Sequence, residues 1–598
     1  VFFDLPNFFG TPLPAMTNQL KSTQLQTTLA ESLTCNAATH GDDVGFTFLA
    51  DGEGDARPMT WEELHQRALA IAGILLERGA EGDRVLLLED VGLDYVAALF
   101  GTMYAGMVVV PAYPLDPRHR EGSLQRVHAI IDRAQASLAI TSRETRASIA
   151  GDSSAAAAAL QGLVWLTGED FATAAALERP LDRASDPDAL ALLQFTSGST
   201  GAPRGVMLSH GNLAANVAIF AEGFESTADS VSVSWLPLFH DLGLISTVCH
   251  TVALRCHSVF MHPYAFLLRP IRWLEAISTY RGTHSCAPNF AFDYTARRIT
   301  LDERSHLDLS SWQIAGSGGE PVRATTVERF ARTLGPAGAS PEALRPGWGL
   351  AEGTCLLVGT TRGGAVVRDF ELAALQEGRV VEWAGPDAGE RVSLVAAGTP
   401  MSGTELAIAD PESCRRCPED RVGEIWARSP SVGGGYWGEP ERTAETFAAR
   451  LEEEDDRPWM RTGDLGFVRE ENLFVVSRLK DLIIIRGRNH APQEIEQTVE
   501  ESHPALRRGC GAAFSIEVGD EERLVVAQEV RARVPAKPEE LARAIAAAVA
   551  ERHGIDLHSV ALLPPQTVPK TSSGKIQRAG CRASFAEWSE LGYAIAPR

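Results

Sequence analysis

A fold of the α/β class, built on parallel sheets and followed by a smaller α+β unit, is predicted by three observations. Short apolar strands alternate with amphipathic helices over residues 60–115: TWEELHQRALAIAGILLERGA, RVLLLE, YVAALFGTMYAG and VVVPAYP. That alternation is the signature of βαβ units. The same strand type returns at VSVSWLP, SVFMH, THSCAPN and WQIAGSGG. Near residue 477 the pattern changes to strand, polar break, strand in FVVSRLKDLIIIRG. A helix from Pro492, strands near 511–517 and 523–531, and a helix in PEELARAIAAAVAERHG complete a unit of about 115 residues, an ordinary domain size. The joint is placed at Arg478–Asp481. The alanine run at 155–159 is read as part of an exposed helix.

Composition narrows the function classes. The chain has 598 residues, 44% hydrophobic, with a formal net charge of −23. That length suits several domains, and that charge argues against a general nucleic-acid binder, which needs a basic footprint. A local basic patch for phosphates remains compatible with it. Nine cysteines, an odd number, suit a reducing, cytoplasmic setting better than a disulfide framework. The pair Cys414 and Cys417 lacks the second pair a zinc site would show and reads as a loop with two free thiols. There is no apolar run of membrane-spanning length. Residues 1–15, which hold Asp4 and three prolines, lack a basic leader and read as an extension ahead of Met16.

The stretch QFTSGSTGAPRG at 194–205 carries the first chemical signal. Glycines bring backbone N–H groups close to an anion, the hydroxyls of Thr196, Ser197, Ser199 and Thr200 add donors, and Arg204 adds charge. After it GVMLSH is strand-like. Leu213, Val217, Phe220 and Phe224 then follow at helical spacing, with Asn212 as a candidate N-cap. This is an anion cradle or, more simply, a polar turn. It is not a Walker A loop, since no G-x-x-x-x-G-K-[ST] exists in the chain. Serine-hydrolase and zinc-protease signatures are absent too.

Further segments accompany it in a fixed order: SWLPLFHDLGL at 234–244, GSGGEPV at 316–322, GWGLAEGT at 347–354, RTGDLG at 461–466, SRLKDLIIIRGRNHAPQEIE at 477–496 and PKTSSGKIQR at 569–578. Together with TSGSTGAPRG they resemble the adenylate-forming (ANL) superfamily of acyl-CoA synthetases, luciferases and nonribosomal adenylation domains. CAPNFAFDYTARR, PYAFLLRPIRWLEAIS and a long stretch after Glu352, about residues 356–385, are similar to the fatty acyl-AMP ligases and their insertion. The resemblance implies a large N-terminal domain over 16–478 and a small mobile C-terminal lid over 479–598.

The resemblance also implies roles. The loop Thr196, Ser197, Gly198, Ser199, Thr200, Gly201 and Arg204 would hold pyrophosphate, with Arg204 standing where the family often has lysine. Gly318, Gly319, Glu320, Pro321, Trp348, Gly349 and Leu350 would form the adenine side, although a lone tryptophan is more often core. Asp464 and Arg478 would take the ribose hydroxyls, the bland alternative for Asp464 being a local turn. Lys575 would reach the acyl carboxylate and the α-phosphate, Glu352 would support Mg²⁺, and Lys480 would mark the hinge. His240 lines the carboxylate entrance or is a satisfied core histidine. Because it neighbours Asp241 in an extended segment, the two are expected to point apart and make a poor metal pair. Phe239, Leu244, Phe290 and Phe292 are candidates for the acyl pocket or for ordinary core.

Such a protein would use ATP and Mg²⁺ to activate a medium- or long-chain fatty acid as acyl-adenylate. It would then load the phosphopantetheine thiol of a separate holo acyl carrier protein of polyketide or nonribosomal type. Two other readings stand beside this: a fatty acyl-CoA ligase, and a non-catalytic nucleotide- or acyl-binding protein.

Overall fold

The computed structural model describes residues 27–596 apart from 116–119, 153, 155–156, 158–159, 173–174, 197–202, 387–390, 453–455, 520, 533–535 and 571–573. The extension at 1–15, the residues Ser197–Gly201 and most of the alanine run therefore lie outside the described residues. Ala157, within that run, is fully buried rather than exposed.

Two large sheets form the body. A six-stranded sheet runs in the order Val164–Leu166, Leu138–Thr141, Arg84–Leu88, Val108–Pro111, Leu190–Thr196, Arg204–Ser209. Its first five strands are parallel and its last pair is an antiparallel hairpin. A nine-stranded sheet places the strands Val231–Ser234, His257–Met261, His284–Ala287, Ile314–Ser317 and Leu344–Trp348 side by side, also in parallel. Arg84–Leu88, Val108–Pro111, Val231–Ser234, His257–Met261, His284–Ala287 and Ile314–Ser317 are strands the alternating pattern predicts, Leu138–Thr141, Val164–Leu166 and Leu344–Trp348 are not, and the helices Trp61–Arg78 and Leu93–Tyr104 fall where the sequence places them. Near-continuous apolar strands mark sheets covered on both faces, and the largest core packs helices and strands from both sheets into one cluster.

A four-stranded antiparallel sheet follows, from Glu405–Ala409 to Asn472–Arg478. A single turn at Leu479–Asp481 then leads to the C-terminal domain. That domain holds the helices Pro492–Ser502 and Pro538–His553 against a sheet of Leu506–Val518, Glu521–Val530, Leu557–Leu563 and Ala594–Ile595. It buries apolar clusters of its own, one around Ile495, Val526 and Ile545, another around Phe514, Cys581 and Trp588.

Two local readings are corrected. The helix His210–Gly223 is capped by Ser209, not Asn212. Asn212 is instead the third helical residue, and its side chain returns to the Ser209 N–H at 3.0 Å, completing a capping box. RTGDLG is not a free turn but a kink inside the ten-residue strand Met460–Arg469, made by Gly463 at φ +69°.

Candidate active site

A cleft of about 1890 Å³ lies between the body and the C-terminal domain. Its wall on the body side comes from the ends of parallel strands, where the sheet stops and backbone becomes free to meet a ligand. Thr196 closes one strand and Arg204 opens the next, and the two are cross-strand partners. The ends of the glycine-rich loop are thus clamped together by the hairpin. Arg204 lies over the ring of Tyr436, 5.7 Å from its centroid. The Tyr436 hydroxyl donates to Glu352 Oε1 at 2.7 Å. Arg204 and Glu352 on the cleft wall are therefore joined from behind by the buried Tyr436.

The segments GSGGEPV and GWGLAEGT converge as expected of neighbouring strands. Gly318, Gly319, Glu320 and Pro321 follow the strand Ile314–Ser317, and Trp348, Gly349 and Leu350 end and follow the strand Leu344–Trp348. Gly349 is held to glycine by packing, since a Cβ there would lie 1.6 Å from the Cys355 carbonyl oxygen. Glu320 Oε1 accepts the Phe290 N–H at 2.6 Å. Trp348 is core and wall at once: it is 8% exposed, packs with Leu357 and Met460, and its indole N–H donates to Asp464 Oδ2 at 2.9 Å.

Asp464 and Arg478 are cross-strand partners, the physical reason for their spacing in sequence. Arg478 Nε stands 3.1 Å from Asp464 Oδ1, yet that oxygen has no aligned hydrogen bond. Gln194 Oε1 and Ser317 Oγ, also on the cleft wall, lack partners as well. Buried polar atoms are rarely left so, because each costs about 1–3 kcal/mol. Three orphaned polar atoms in one cleft describe a surface shaped for a polar ligand.

Lys575 arrives from the other side. Gly574, at φ +85°, brings the turn against the ring of Phe290, and the Lys575 ammonium lies 3.7 Å from where a Gly319 Cβ would stand. Burial pushes the Lys575 pKa down, with the Asp241 carboxylate opposing that shift. Asp241 itself is pushed up by burial but held to about 2 overall by His240 and Lys575. The expectation that His240 and Asp241 point apart is overturned: His240 Nδ1 lies 2.5 Å from Asp241 Oδ1. The segment is not extended there, because Asp241 begins the helical turn Asp241–Gly243, with His240 as its N-cap. A six-residue π-helical stretch, Leu244–Cys249, continues it, a geometry frequent beside functional sites.

Of the apolar candidates, Phe290 lines the cleft, whereas Phe239 packs edge-on against Tyr113, with ring centroids 4.8 Å apart. Phe292 does not: it packs between Trp273, Trp312 and Phe330, deep in a separate core. Leu244 likewise sits in the main core, 1% exposed. On the helix Asn289–Arg298, Phe290 and Phe292 cannot share a face at a spacing of two, which explains the split. Lys480 lies in the single turn Leu479–Asp481 on the cleft rim. Among the described residues no cluster of three metal-ligating side chains exists, so Glu352 is not part of a ready-made metal cage.

Sequence reasoning missed Tyr436, Asp241 as a partner of Lys575, and the apolar end of the cleft at Phe220, Phe224 and Cys286. Tyr436 is 84 residues from Glu352, and no spacing rule joins them.

The comparisons agree with this geometry. The AMP-binding enzyme family matches residues 33–437, and the AMP domain of Disco-interacting protein 2-like proteins matches residues 480–590. The medium-chain-fatty-acid–[acyl-carrier-protein] ligase JamA of Moorena producens is 43% identical over 91% of this chain and 92% of its own. The long-chain-fatty-acid–AMP ligase FadD32 of Mycolicibacterium smegmatis is 35% identical over 92% and 93%. The solved fatty acyl-adenylate ligase of Legionella pneumophila, in complex with acyl adenylate and pyrophosphate, is 34% identical with a TM-score of 0.72, over 96% of this chain and 98% of that one. A structure from a study of the fatty acyl-adenylate ligases of E. coli and L. pneumophila reaches a TM-score of 0.84 at 29% identity, over 95% and 98%. The chain belongs to the adenylate-forming, AMP-binding enzymes and, within them, to the fatty acyl-AMP ligases.

Proposed function

We propose that the cleft joins ATP to a medium-chain fatty acid and hands the acyl group to the phosphopantetheine thiol of a separate carrier protein of polyketide or nonribosomal type, in the cytoplasm. The observation that carries this is the placement of Lys575 on the cleft wall, half-buried, with its ammonium 3.7 Å from where a Gly319 Cβ would stand. In the first step a carboxylate oxygen attacks the α-phosphorus, and the bond to the β-phosphate bridging oxygen breaks with its electron pair on pyrophosphate. Two anions must meet, so fixed donors and a cation have to offset the charge. Lys575 does this for the carboxylate and α-phosphate, and the loop ending at Arg204 does it for pyrophosphate. Asp464, with its unsatisfied Oδ1, accepts from the ribose hydroxyls, and Trp348 and Arg478 hold it in place. His240, oriented by Asp241, lines the carboxylate entrance.

Mg²⁺, a hard cation that keeps most of its shell as water and phosphate oxygens, would neutralise triphosphate charge. Glu352 would hold it through the oxygen that Tyr436 leaves open. In the second step the thiol sulfur attacks the acyl carbon, its proton is lost and AMP departs.

A medium chain is the length named for the substrate of JamA, and the cleft offers it an apolar end where a Cβ on Gly316 would lie 3.6 Å from the Phe224 ring and 2.8 Å from Cys286 Sγ. The edge-to-face pair of Phe220 and Phe224, with centroids 5.4 Å apart, would close the channel. The inserted segment supports transfer to a carrier: its Leu372, Leu375 and Gln376 share a pocket with Leu479, Leu482 and His490, so it touches both the linker and the C-terminal domain.

The test is to incubate the protein with ATP, Mg²⁺ and fatty acids of graded length, identify the adenylate by mass, and then supply coenzyme A or holo-carrier separately. Acyl-adenylate of medium length that reacts with the carrier alone is expected. Efficient acyl-CoA formation would establish the acyl-CoA ligase reading instead, and no adenylate from any acid would leave a binding protein.

A further inference from the structure

Lys575 reaches the cleft from the C-terminal domain, so that domain must be held in register with the body. Among the described residues a single ion pair joins them directly: Arg323 Nη1 donates to Glu500 Oε2 at 3.1 Å. The Glu500 side chain is only 3% exposed, and its other oxygen accepts the Gly509 N–H at 2.5 Å. Arg323 is fixed on the body side, where its own N–H donates to Asn289 Oδ1 at 3.1 Å. The next residue, Phe290, is bonded to Glu320. The run Gly318–Arg323 therefore carries the wall that meets Lys575 at one end and the interdomain contact at the other.

The path continues through the C-terminal domain. Glu496 and Glu500 stand four apart on the helix Pro492–Ser502, hence on one face. Glu496 takes a two-pronged bond from Arg578, both arms at 2.7 Å, and also accepts the Ala513 N–H at 3.0 Å. Arg578 reaches Asp481 of the linker at 3.3 Å as well. It lies one short turn of chain beyond Lys575.

We infer that Arg323 and Glu500 are positioning residues: they fix the helix whose Glu496 grips Arg578, and so set where the Lys575 ammonium stops above Gly319. A pair with an enclosed carboxylate and an arginine whose side chain is still 32% exposed is poor evidence for stability, since desolvation of the carboxylate and solvent screening of the arginine offset most of the attraction. Its worth is directional. Arg323 offers a planar fork and Glu500 a carboxylate already oriented by Gly509, so few lid placements satisfy both. The inference rests on the reading of Lys575 as the group that closes on the carboxylate and α-phosphate.

The test compares Arg323→Gln, Arg323→Lys, Glu500→Gln and the double Arg323→Gln/Glu500→Gln variant of the full chain. Three quantities are measured: single-turnover acyl-adenylate formation, ATP affinity, and transfer from supplied acyl-adenylate to holo-carrier. A misplacement on the order of 1 Å costs about 100-fold. Adenylate formation is therefore expected to fall about 10- to 100-fold in Arg323→Gln and Glu500→Gln, to recover in part in Arg323→Lys, and to fall no further in the double variant. ATP affinity and transfer should stay within about threefold. Adenylate formation at the unsubstituted rate in Arg323→Gln, or an equal loss of all three quantities, overturns the positioning role. Failure of the unsubstituted protein to make any adenylate overturns the reading of Lys575 beneath it.

Discussion

The wall at Gly318–Arg323 and the arm at Gly574–Arg578 meet in one cleft but are held there differently. The wall extends a central strand of the nine-stranded sheet, flanked by parallel partners on both sides. Its position is fixed by the same ladder and core that fold the body. The arm belongs to a domain with its own cores, joined through one turn and registered against the body, among the described residues, by the Arg323–Glu500 ion pair and by hydrogen bonds such as Gln376 to His490. On the proposed reading, the donors that hold the nucleotide are built into the sheet, and the cation that closes on them is built into the smaller domain. The division fits a reaction whose two steps need different surroundings: first a charge-rich closed site, then room for a thiol on a long tether.

Substitutions on the wall side test whether its parts act mainly on nucleotide binding. Asp464→Asn removes the charge that faces Arg478 and that the proposed function places on the ribose hydroxyls. A hydrogen bond to a charged group is worth about 1.5–3 kcal/mol, so the KM for ATP is expected to rise about 10- to 150-fold, with a smaller change in kcat. Steady-state kinetics with ATP varied at saturating fatty acid checks this. Phe224→Ala acts at the far end of the same wall. It should shift the preferred fatty acid by two to four carbons toward longer chains, by about tenfold in relative kcat/KM, leaving the KM for ATP in place. A competition assay with mixed acids, read by mass, reports the shift. Tyr436→Phe removes the hydroxyl that orients Glu352, and a loss of about threefold to tenfold is expected, in keeping with one hydrogen bond of about 1 kcal/mol.

Buried histidines give both regions a response to acid. His490 and His553 are buried and lowered by that burial from 6.5 to about 4 and about 3 respectively. The unfolded chain takes up protons near pH 6.5 that the folded chain refuses. Stability is therefore complete above pH 6.5 and falls as pH drops toward 4, by at most about 1.4 kcal/mol per pH unit for each histidine. His210 and His250 of the body behave alike, so the share of one histidine is isolated by His553→Gln. Its melting temperature should depend less steeply on pH between 6.5 and 4 than that of the unsubstituted protein. An unchanged slope would show that His553 is not the proton acceptor.

The sequence made the sheets legible because parallel strands covered on both faces leave unbroken apolar runs, as in RVLLL and VVVP, and the helices between them carry a clear stripe. It also marked the residues that bear chemistry, since glycine, acid and lysine in ordered motifs are rare by accident. What it did not mark was pairing across space. Asp241 lies beside His240 because the chain turns into a helix there, a local choice that alternation rules misjudge. Phe292 reads as pocket and proves to be core because two residues on a helix face different ways. Tyr436 on Glu352, Glu500 on Arg323 and Glu496 on Arg578 join segments 84, 177 and 82 residues apart. No periodicity encodes such contacts.

The central claim, that a fixed wall forms adenylate only when the Lys575 arm closes on it, is tested most directly by fatty-acid-dependent exchange of labelled pyrophosphate into ATP, measured beside ATP binding in Lys575→Ala. Exchange should fall at least about 100- to 1,000-fold, the scale of losing one charge-stabilising donor, while ATP still binds within about threefold. Exchange that persists at the unsubstituted rate, or ATP binding that disappears with it, would contradict the account.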